Sequence, residues 1–151
     1  VWKRNADIIA TPRDAIATHE QFQLFAAYQR GRHGDGDMSK MEFADYQGLI
    51  EDTPIDTILM EFRDSERTLL GACLVDEVEN GLSAVYSFYD PDQNRRSLGA
   101  HMILALIERA RASRRKYVYL GFWIADCDKM SYKATYRPLE AHSHQGWKTL
   151  S

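Results

Sequence analysis

Apolar positions recur at three- and four-residue spacing in two stretches near the start of the chain, each behind a helix-start signature. Thr18, with Gln21 three residues on, precedes Phe22, Phe25, Ala26 and Tyr28, which predicts a capped helix over residues 18–30. Ser39 with Glu42 repeats the signature and predicts a second helix to about Asp52, carrying Met41, Phe43, Tyr46, Leu49 and Ile50. Between them the glycines of Arg32-His33-Gly34-Asp35-Gly36-Asp37-Met38 allow positive φ, so a tight loop is expected. After Pro54 the period falls to two. Residues 56–62 and 69–78 read as strands joined through Asp64-Ser65-Glu66-Arg67, and Asn80-Gly81 signals a type I′ hairpin into a third strand over residues 82–89. Asp90-Pro91 stops that strand, since proline cannot donate to a ladder. Ser97 is then placed to cap a helix from 98 to about 113, with Met102, Ile103, Leu106, Ile107 and Ala110 on its apolar face. Residues 117–124 form a continuous apolar run, expected as a strand buried on both faces, and a short helical segment follows near residues 129–136.

The third strand, the helix and the last strand make a βαβ unit, which places the last strand parallel to the third. The expected class is α/β (α+β): a mixed, mostly antiparallel sheet with helices on both faces, in a single domain over residues 1–151. This order of elements is like that of the GNAT acyltransferase fold, where the turn between a strand and the following helix binds the phosphates of an acyl carrier.

Composition narrows the class. A chain of 151 residues, 27% charged and 44% hydrophobic, fits one folded domain rather than a disordered polymer. The longest apolar runs fall far short of the roughly 20 residues that span a bilayer, and no signal-peptide core opens the chain, so a soluble, cytoplasmic protein with no membrane partner is expected. The two cysteines, Cys73 and Cys127, suggest neither a disulfide framework nor a thiolate metal site. The net charge of -3 conceals an asymmetry: residues 1–90 hold 8 Lys and Arg against 17 Asp and Glu, whereas residues 91–137 hold 10 against 4. A basic half suits a phosphate-bearing partner. The plainer reading makes Arg109, Arg111, Arg114, Arg115 and Lys116 a solvated helix face and its exit.

The chemistry concentrates at Arg95-Arg96-Ser97-Leu98-Gly99, in the turn from strand to helix. Amides at a helix start attract anions, two arginines add bidentate phosphate donors, and Gly99 allows close backbone approach. A solvated arginine-rich turn is the plain alternative.

A more specific resemblance runs over nearly the whole chain. Tyr86-Ser87-Phe88-Tyr89-Asp90-Pro91-Asp92 through Arg95-Arg96-Ser97-Leu98-Gly99, Tyr117-Val118-Tyr119-Leu120-Gly121-Phe122-Trp123-Ile124, Cys127, Lys129-Met130, Tyr132-Lys133 and Arg137-Pro138-Leu139-Glu140 resemble the C-terminal domain of the arginyl-tRNA-protein transferase family. They are most similar to its bacterial leucyltransferases that act on N-terminal Asp and Glu. Arg32-His33-Gly34-Asp35-Gly36-Asp37-Met38 and Val1-Trp2-Lys3-Arg4-Asn5 resemble the same family. The resemblance implies a GNAT-like domain that moves Leu or Arg from aminoacyl-tRNA to the α-amino group of proteins beginning with an acidic residue, marking them for degradation by the N-end rule. The co-substrate is aminoacyl-tRNA, and no further cofactor or metal is expected. The family also carries an N-terminal domain with a cysteine cluster that this sequence lacks, so the chain is expected to be the catalytic part of a larger enzyme.

An aminoacyl ester is already activated. Its aminolysis needs a neutral amine, an aligned carbonyl and a stabilised oxyanion. Asp90 is the candidate to orient or deprotonate the amine; its plain role is an Asp-Pro turn residue. Arg95, Arg96, Ser97, Gly99, Lys129, Tyr132, Lys133 and Arg137 are candidates for tRNA or the acidic acceptor, with Lys129 and Lys133 on one face if their segment is helical. Tyr86, Phe88 and Trp123 are candidates for the aminoacyl pocket, although strand aromatics are more economically core. Cys127 lacks a neighbouring base, and His142 and His144 alternate in what reads as an exposed tail. Two other functions fit the same residues: an acetyl-coenzyme A-dependent N-acetyltransferase, and a non-catalytic module that binds acidic N-termini or tRNA. The stretch Arg96-Ser97-Leu98-Gly99-Ala100-His101 ends in histidine where acetyltransferases usually keep a small residue, which counts against the first.

Overall fold

The computed structural model describes residues 1–33 and 40–151. The chain divides into two compact units, Val1–Tyr119 and Leu120–Ser151.

The first unit is built on a five-stranded sheet in the order β1-β2-β3-β4-β5. Its strands are β1 (Ile9–Asp14), β2 (Thr57–Arg63), β3 (Leu69–Val78), β4 (Gly81–Tyr89) and β5 (Tyr117–Tyr119), and its helices are α1 (His19–His33), α2 (Phe43–Glu51) and α3 (Leu98–Ala112). Pairing is antiparallel from β1 to β4, and β5 runs parallel to β4, as the βαβ pattern requires. Side chains on β2 and β3 alternate between two apolar clusters. Leu59, Ala72 and Leu74 pack with Phe25, Tyr28, Tyr46 and Ile50 of α1 and α2, while Met60, Phe62, Cys73 and Val75 pack with Met102, Leu106 and Ala110 of α3. Helices therefore cover both faces. Each fully buried large side chain contributes about 1.5–3 kcal/mol, so the two clusters, not helix propensity, hold the layers together.

On β4 the alternation reverses midway. Leu74 pairs with Tyr86 and Val75 with Ala84, which leaves Val85 as an extra residue opposite β3. One inserted residue exchanges the two faces beyond it: Leu82 and Ala84 pack toward α3, whereas Tyr86 and Phe88 pack toward α1.

Several local expectations are realised in detail. The Thr18 amide donates to Gln21 Oε1 at 3.1 Å and the Gln21 amide to Thr18 Oγ1 at 3.2 Å, a complete capping box. The Gln21 side chain is buried and also joins Tyr46 and Glu61, tying α1 and α2 to β2.

Others are corrected. The proposed Ser39 cap, with the loop from Gly34 to Met38, lies outside the described residues; the start of α2 is made by Glu42, which shares a capping box with Asp45. The β3–β4 turn is Glu79-Asn80, because Val78 pairs with Gly81, and neither Asn80 nor Gly81 has the positive φ that a type I′ turn needs. The Asn80 carbonyl instead accepts the Lys116 and Tyr117 amides. Ser97 stands at the N-cap of α3 in the left-handed region (φ 54°) without a side-chain cap hydrogen bond. β1 was not expected; it is an exposed edge strand whose Pro12 breaks the alternating pattern and is tolerated because one side of an edge strand is unpaired. The apolar run to Ile124 is not one buried strand: β5 has three half-buried residues, and Phe122, Trp123 and Ile124 are exposed.

The second unit holds a 3-10 segment, Asp128–Thr135, and a hairpin of β6 (Leu139–Ser143) and β7 (Gly146–Leu150). The expected tail is thus a folded hairpin, with the His142 ring 5.0 Å from that of Trp147. In a 3-10 helix residues three apart eclipse, so Lys129 and Lys133 do not share a face. Among the described residues no group of His, Cys, Asp and Glu is arranged to hold a metal ion, and no helix is long and apolar enough to cross a membrane.

Candidate active site

β5 pairs with β4 only over Gly81, Leu82 and Ser83. Beyond that point β4 has no ladder partner on its β5 side among the described residues, and the bulge at Val85 falls at the start of this open edge. Bulges gather beside active sites because they release backbone groups from the ladder. Half-buried Tyr86 follows, its hydroxyl accepting a hydrogen bond from Gln29 Nε2, and burial raises its pKa above 10 so that it stays protonated. Phe88 is fully buried against Phe25 and Tyr46, behind the edge and not lining it.

Asp90 closes β4. Its Oδ1 accepts the Asp92 amide at 2.9 Å and its own amide donates to the Leu70 carbonyl at 2.8 Å. The turn role expected from Asp-Pro is realised, and it fixes the half-buried carboxylate at the end of the open edge. Tyr89 beside it accepts a hydrogen bond from Arg32 Nη1 at 3.2 Å, and its ring lies 3.5 Å from where a Cβ on Gly99 would stand. The end of α1, the end of β4 and the start of α3 therefore meet around Tyr89.

The basic turn lies next along the chain. Asn94–Arg96 is a 3-10 turn, and Arg4, Gln93, Arg95 and Arg96 line an open cleft of about 660 Å³. Arg95 is exposed. Arg96 is bound to the protein: Nη1 and Nη2 meet Asp7 Oδ1 and Oδ2 at 2.8 and 3.0 Å, and Nε donates to Gln93 Oε1 at 3.1 Å. The Arg96 guanidinium holds the Asp7 carboxyl below its ordinary 3.8. Arg4 and Asn5, on the 3-10 turn Lys3–Asn5, clasp the same segment: Arg4 Nη1 donates to the Arg95 carbonyl at 3.0 Å and to Ser97 Oγ at 3.3 Å, and Asn5 Nδ2 donates to the Arg96 carbonyl at 2.8 Å. Arg4, Asn5 and Asp7 were not expected at the site. Their partners lie about 90 residues away, a separation that leaves no local pattern, and the only signal was the family-like Val1-Trp2-Lys3-Arg4-Asn5.

The basic half is not one surface. Arg109 and Arg115 contact Glu77 at 4.0 and 3.5 Å, and Arg111 contacts Glu108 at 2.6 Å, all toward the far end of α3. Fifteen helical residues put about 22 Å between that end and the Arg95–Arg96 turn.

In the second unit, Lys129 is exposed, Lys133 Nζ donates to the Phe122 carbonyl at 2.6 Å, and Arg137 donates to the carbonyls of Ala134 and Tyr136. Burial holds the Lys133 pKa below 10.5. Tyr132 and Trp123 are 46% and 38% exposed, enough for either ring to receive a ligand.

The family described as "Arginine-tRNA-protein transferase, C terminus" matches residues 20–143. The aspartate/glutamate leucyltransferase of Paramagnetospirillum magneticum is 51% identical over 151 residues, covering 100% of this chain and 62% of that protein. That of Granulibacter bethesdensis is 50% identical over 149 residues, covering 99% and 56%. The chain spans about three fifths of the length of these curated relatives. Among solved structures, an aminoglycoside acetyltransferase from an uncultured soil metagenomic sample superposes with a TM-score of 0.57 at 14% identity, over 85% of this chain and 88% of that one. A Klebsiella pneumoniae protein provisionally described as an acyl-CoA N-acyltransferase gives 0.59 at 16% identity, over 97% and 100%. The fold is the GNAT-like acyltransferase fold.

Proposed function

This chain belongs to the arginine-tRNA-protein transferase C-terminal family, and from that membership we propose that it performs the acyl-transfer step of an aminoacyl-tRNA–protein transferase, moving leucine from charged tRNA to the α-amino group of proteins that begin with Asp or Glu. The observation that carries this reading is the similarity, along the whole of this chain, to aspartate/glutamate leucyltransferases. Leucine is favoured over arginine by those names. The setting is the cytoplasm, where charged tRNA is found, and the product is a protein marked for N-end rule degradation.

The reaction is ester aminolysis. The acceptor's α-amine forms a bond to the leucyl carbonyl carbon, the ester bond to the tRNA ribose breaks, one amine proton leaves through a base, and the ribose hydroxyl departs protonated. The open edge of β4 is where the carbonyl would lie, with backbone groups freed at the Val85 bulge available to the developing oxyanion. Asp90, pinned at the end of that edge, orients the α-amine or takes its proton; a free α-amine has a pKa of about 7.7–8.0, so part of it is already neutral. Tyr86 forms a wall of the leucyl pocket. Phe88 backs the pocket without touching the ligand. Arg95 with the α3 start supplies a cation for the tRNA end or the acidic side chain of the acceptor. Within the second unit, Lys129, Tyr132, Lys133 and Arg137 form a separate candidate surface of cations and a stacking ring for RNA.

The test incubates the chain, and separately a protein of the relatives' full length, with leucyl- or arginyl-tRNA and peptides beginning with Asp, Glu or Ala. Leucine should appear on the Asp and Glu peptides and not on the Ala peptide. Absence of transfer by the full-length form with both tRNAs overturns the reading. Asp90→Asn should lower kcat at least tenfold with little change in KM for tRNA.

A further inference from the structure

We propose that the cleft between the Lys3–Asn5 turn and the Asn94–Arg96 turn is a binding site for an RNA phosphodiester, in which Arg4 and Arg95 make the contacts and Arg96 does not. The RNA assignment rests on the tRNA-dependent reading above; the anion site itself rests on geometry.

Arg96 is the residue a strand-to-helix motif would nominate, yet its fork is closed on the Asp7 carboxylate at 2.8 and 3.0 Å, its Nε is held by Gln93, and Asp7 neutralises its charge. A phosphate would have to displace a bidentate partner of equal charge-assisted quality, so Arg96 is a positioning residue. Arg4 is differently placed. It is exposed, and only Nη1 is engaged, by the Arg95 carbonyl and Ser97 Oγ. Among the described residues, no acceptor meets its Nε or Nη2. The guanidinium is thus anchored at one corner with donors to spare on the cleft, which lowers the ordering cost of binding. The Arg95 guanidinium has no partner among the described residues and lines the same cleft. No carboxylate is among the residues that line it, so Arg4 and Arg95 leave about two positive charges facing the opening.

The clasp also accounts for an oddity of the backbone. A serine in the left-handed region costs about 1 kcal/mol or more and persists only where its surroundings impose it. Here Arg4 and Asn5 impose it, through the Ser97 hydroxyl and the Arg95 and Arg96 carbonyls. Through its bond to Ser97 Oγ the Arg4 guanidinium stands at the start of α3, whose first-turn amides carry no side-chain cap and whose dipole adds to the attraction for an anion. Two arginines from separate turns beside an open cleft suit an extended sugar-phosphate chain more than a single enclosed diphosphate.

The experiment measures binding of uncharged tRNA to the full chain by fluorescence anisotropy between 50 and 200 mM salt, with leucine transfer assayed on the same preparations. Arg4→Gln and Arg95→Gln should each lower the slope of log K against log salt by about 0.7, so that each variant loses about 2- to 3-fold less affinity over that range than the unaltered protein. Arg96→Gln should lower the thermal midpoint with a smaller change in slope, and Arg4→Lys should keep most of the slope. If Arg4→Gln and Arg95→Gln bind with an unchanged slope in protein that still transfers leucine, this inference falls and the reading above stands. If both lose slope while the unaltered protein of the relatives' full length transfers no leucine, the anion site stands and that reading falls. Displacement of tRNA by coenzyme A, where equal inorganic phosphate has no effect, would overturn the assignment to RNA.

Discussion

Gly81 and Tyr117 approach too closely for any side chain to lie between them: a Cβ on Gly81 would stand 2.8 Å from the Tyr117 carbonyl oxygen and 2.7 Å from Cε2 of Tyr119. This contact lets β5 join β4 in parallel, and it is the first of three pairs, two residues before the strands part. Gly81→Ala must push β5 away or distort β4. The expected cost is about 1–3 kcal/mol in urea unfolding. An unchanged midpoint would show that β5 accommodates the methyl group, and the contact would lose its role in setting the open edge.

The same glycine shows where the sequence was legible and where it misled. Asn80-Gly81 was a sound signal for a chain reversal, yet the reason for glycine is the neighbouring strand, which no local pattern reveals. α1 and α3 were readable because each buries one face against a cluster, so the helical period survives in the residues, and β2 to β4 because they are short apolar runs bounded by turn signals. β1 was not, because its side chains are mostly exposed and Pro12 interrupts it. The run from Tyr117 was over-read: hydrophobicity continues to Ile124, but pairing ends at Tyr119 and Gly121 turns the chain at φ 82°. At the basic turn, the strand-to-helix context nominates Arg95 and Arg96 alike, but the structure sets them apart, Arg95 exposed and Arg96 closed on Asp7. Those different settings depend on Arg4 and Asp7, which meet them only after folding.

Glu61 is buried in β2 and serves three partners. Its Oε2 accepts from Gln21 Nε2 at 3.0 Å, and its Oε1 lies 3.2 Å from Arg63 Nη2 and 3.4 Å from Arg13 Nε. Removing the carboxylate strands a buried amide and takes one of the three partners of Arg63, although Glu20 still holds that arginine at 2.7 Å and the Arg67 carbonyl at 2.9 Å. Glu61→Ala should therefore cost about 3 kcal/mol, the lower end for a broken buried pair, in urea unfolding at pH 7. A loss below about 1 kcal/mol would mean that water replaces the network.

His101 gives the fold a pH dependence. Its ring is buried edge-on to Trp2 (centroids 5.1 Å) and to Phe62 (5.9 Å), and its Nδ1 has no partner. Burial first, then Arg96, holds its pKa below 6.5, against a smaller upward pull from Asp7. The unfolded chain therefore binds a proton before the folded chain does, and stability falls as pH drops from 6.5 toward the folded-state pKa. Asp7 and Glu20, held below 3.8 and 4.5 by Arg96 and Arg63, add a separate loss at lower pH, where the unfolded carboxylates protonate first. Urea midpoints from pH 8 to 3.5 should show both steps, and His101→Phe should flatten only the upper one. A variant with the same slope between pH 6.5 and 5 as the unaltered protein would assign that step elsewhere.

Gly99 separates the needs of the fold from those of the site. A Cβ there would meet Tyr89 Cε1 at 3.5 Å and its hydroxyl at 4.0 Å, which is ordinary contact, and its φ is not positive. Nothing in the packing demands glycine in the first turn of α3. Alanine restricts the unfolded chain and favours the helix, so Gly99→Ala should raise the unfolding free energy by about 0.5–1 kcal/mol. The methyl group would nevertheless stand beside the first-turn amides where a phosphate is proposed to approach, so tRNA affinity at low salt should fall several-fold while stability rises. That opposition is the signature of a residue kept for ligand access. Gain of stability with undiminished tRNA binding would remove Gly99 from the site and confine RNA contact to the arginine side chains.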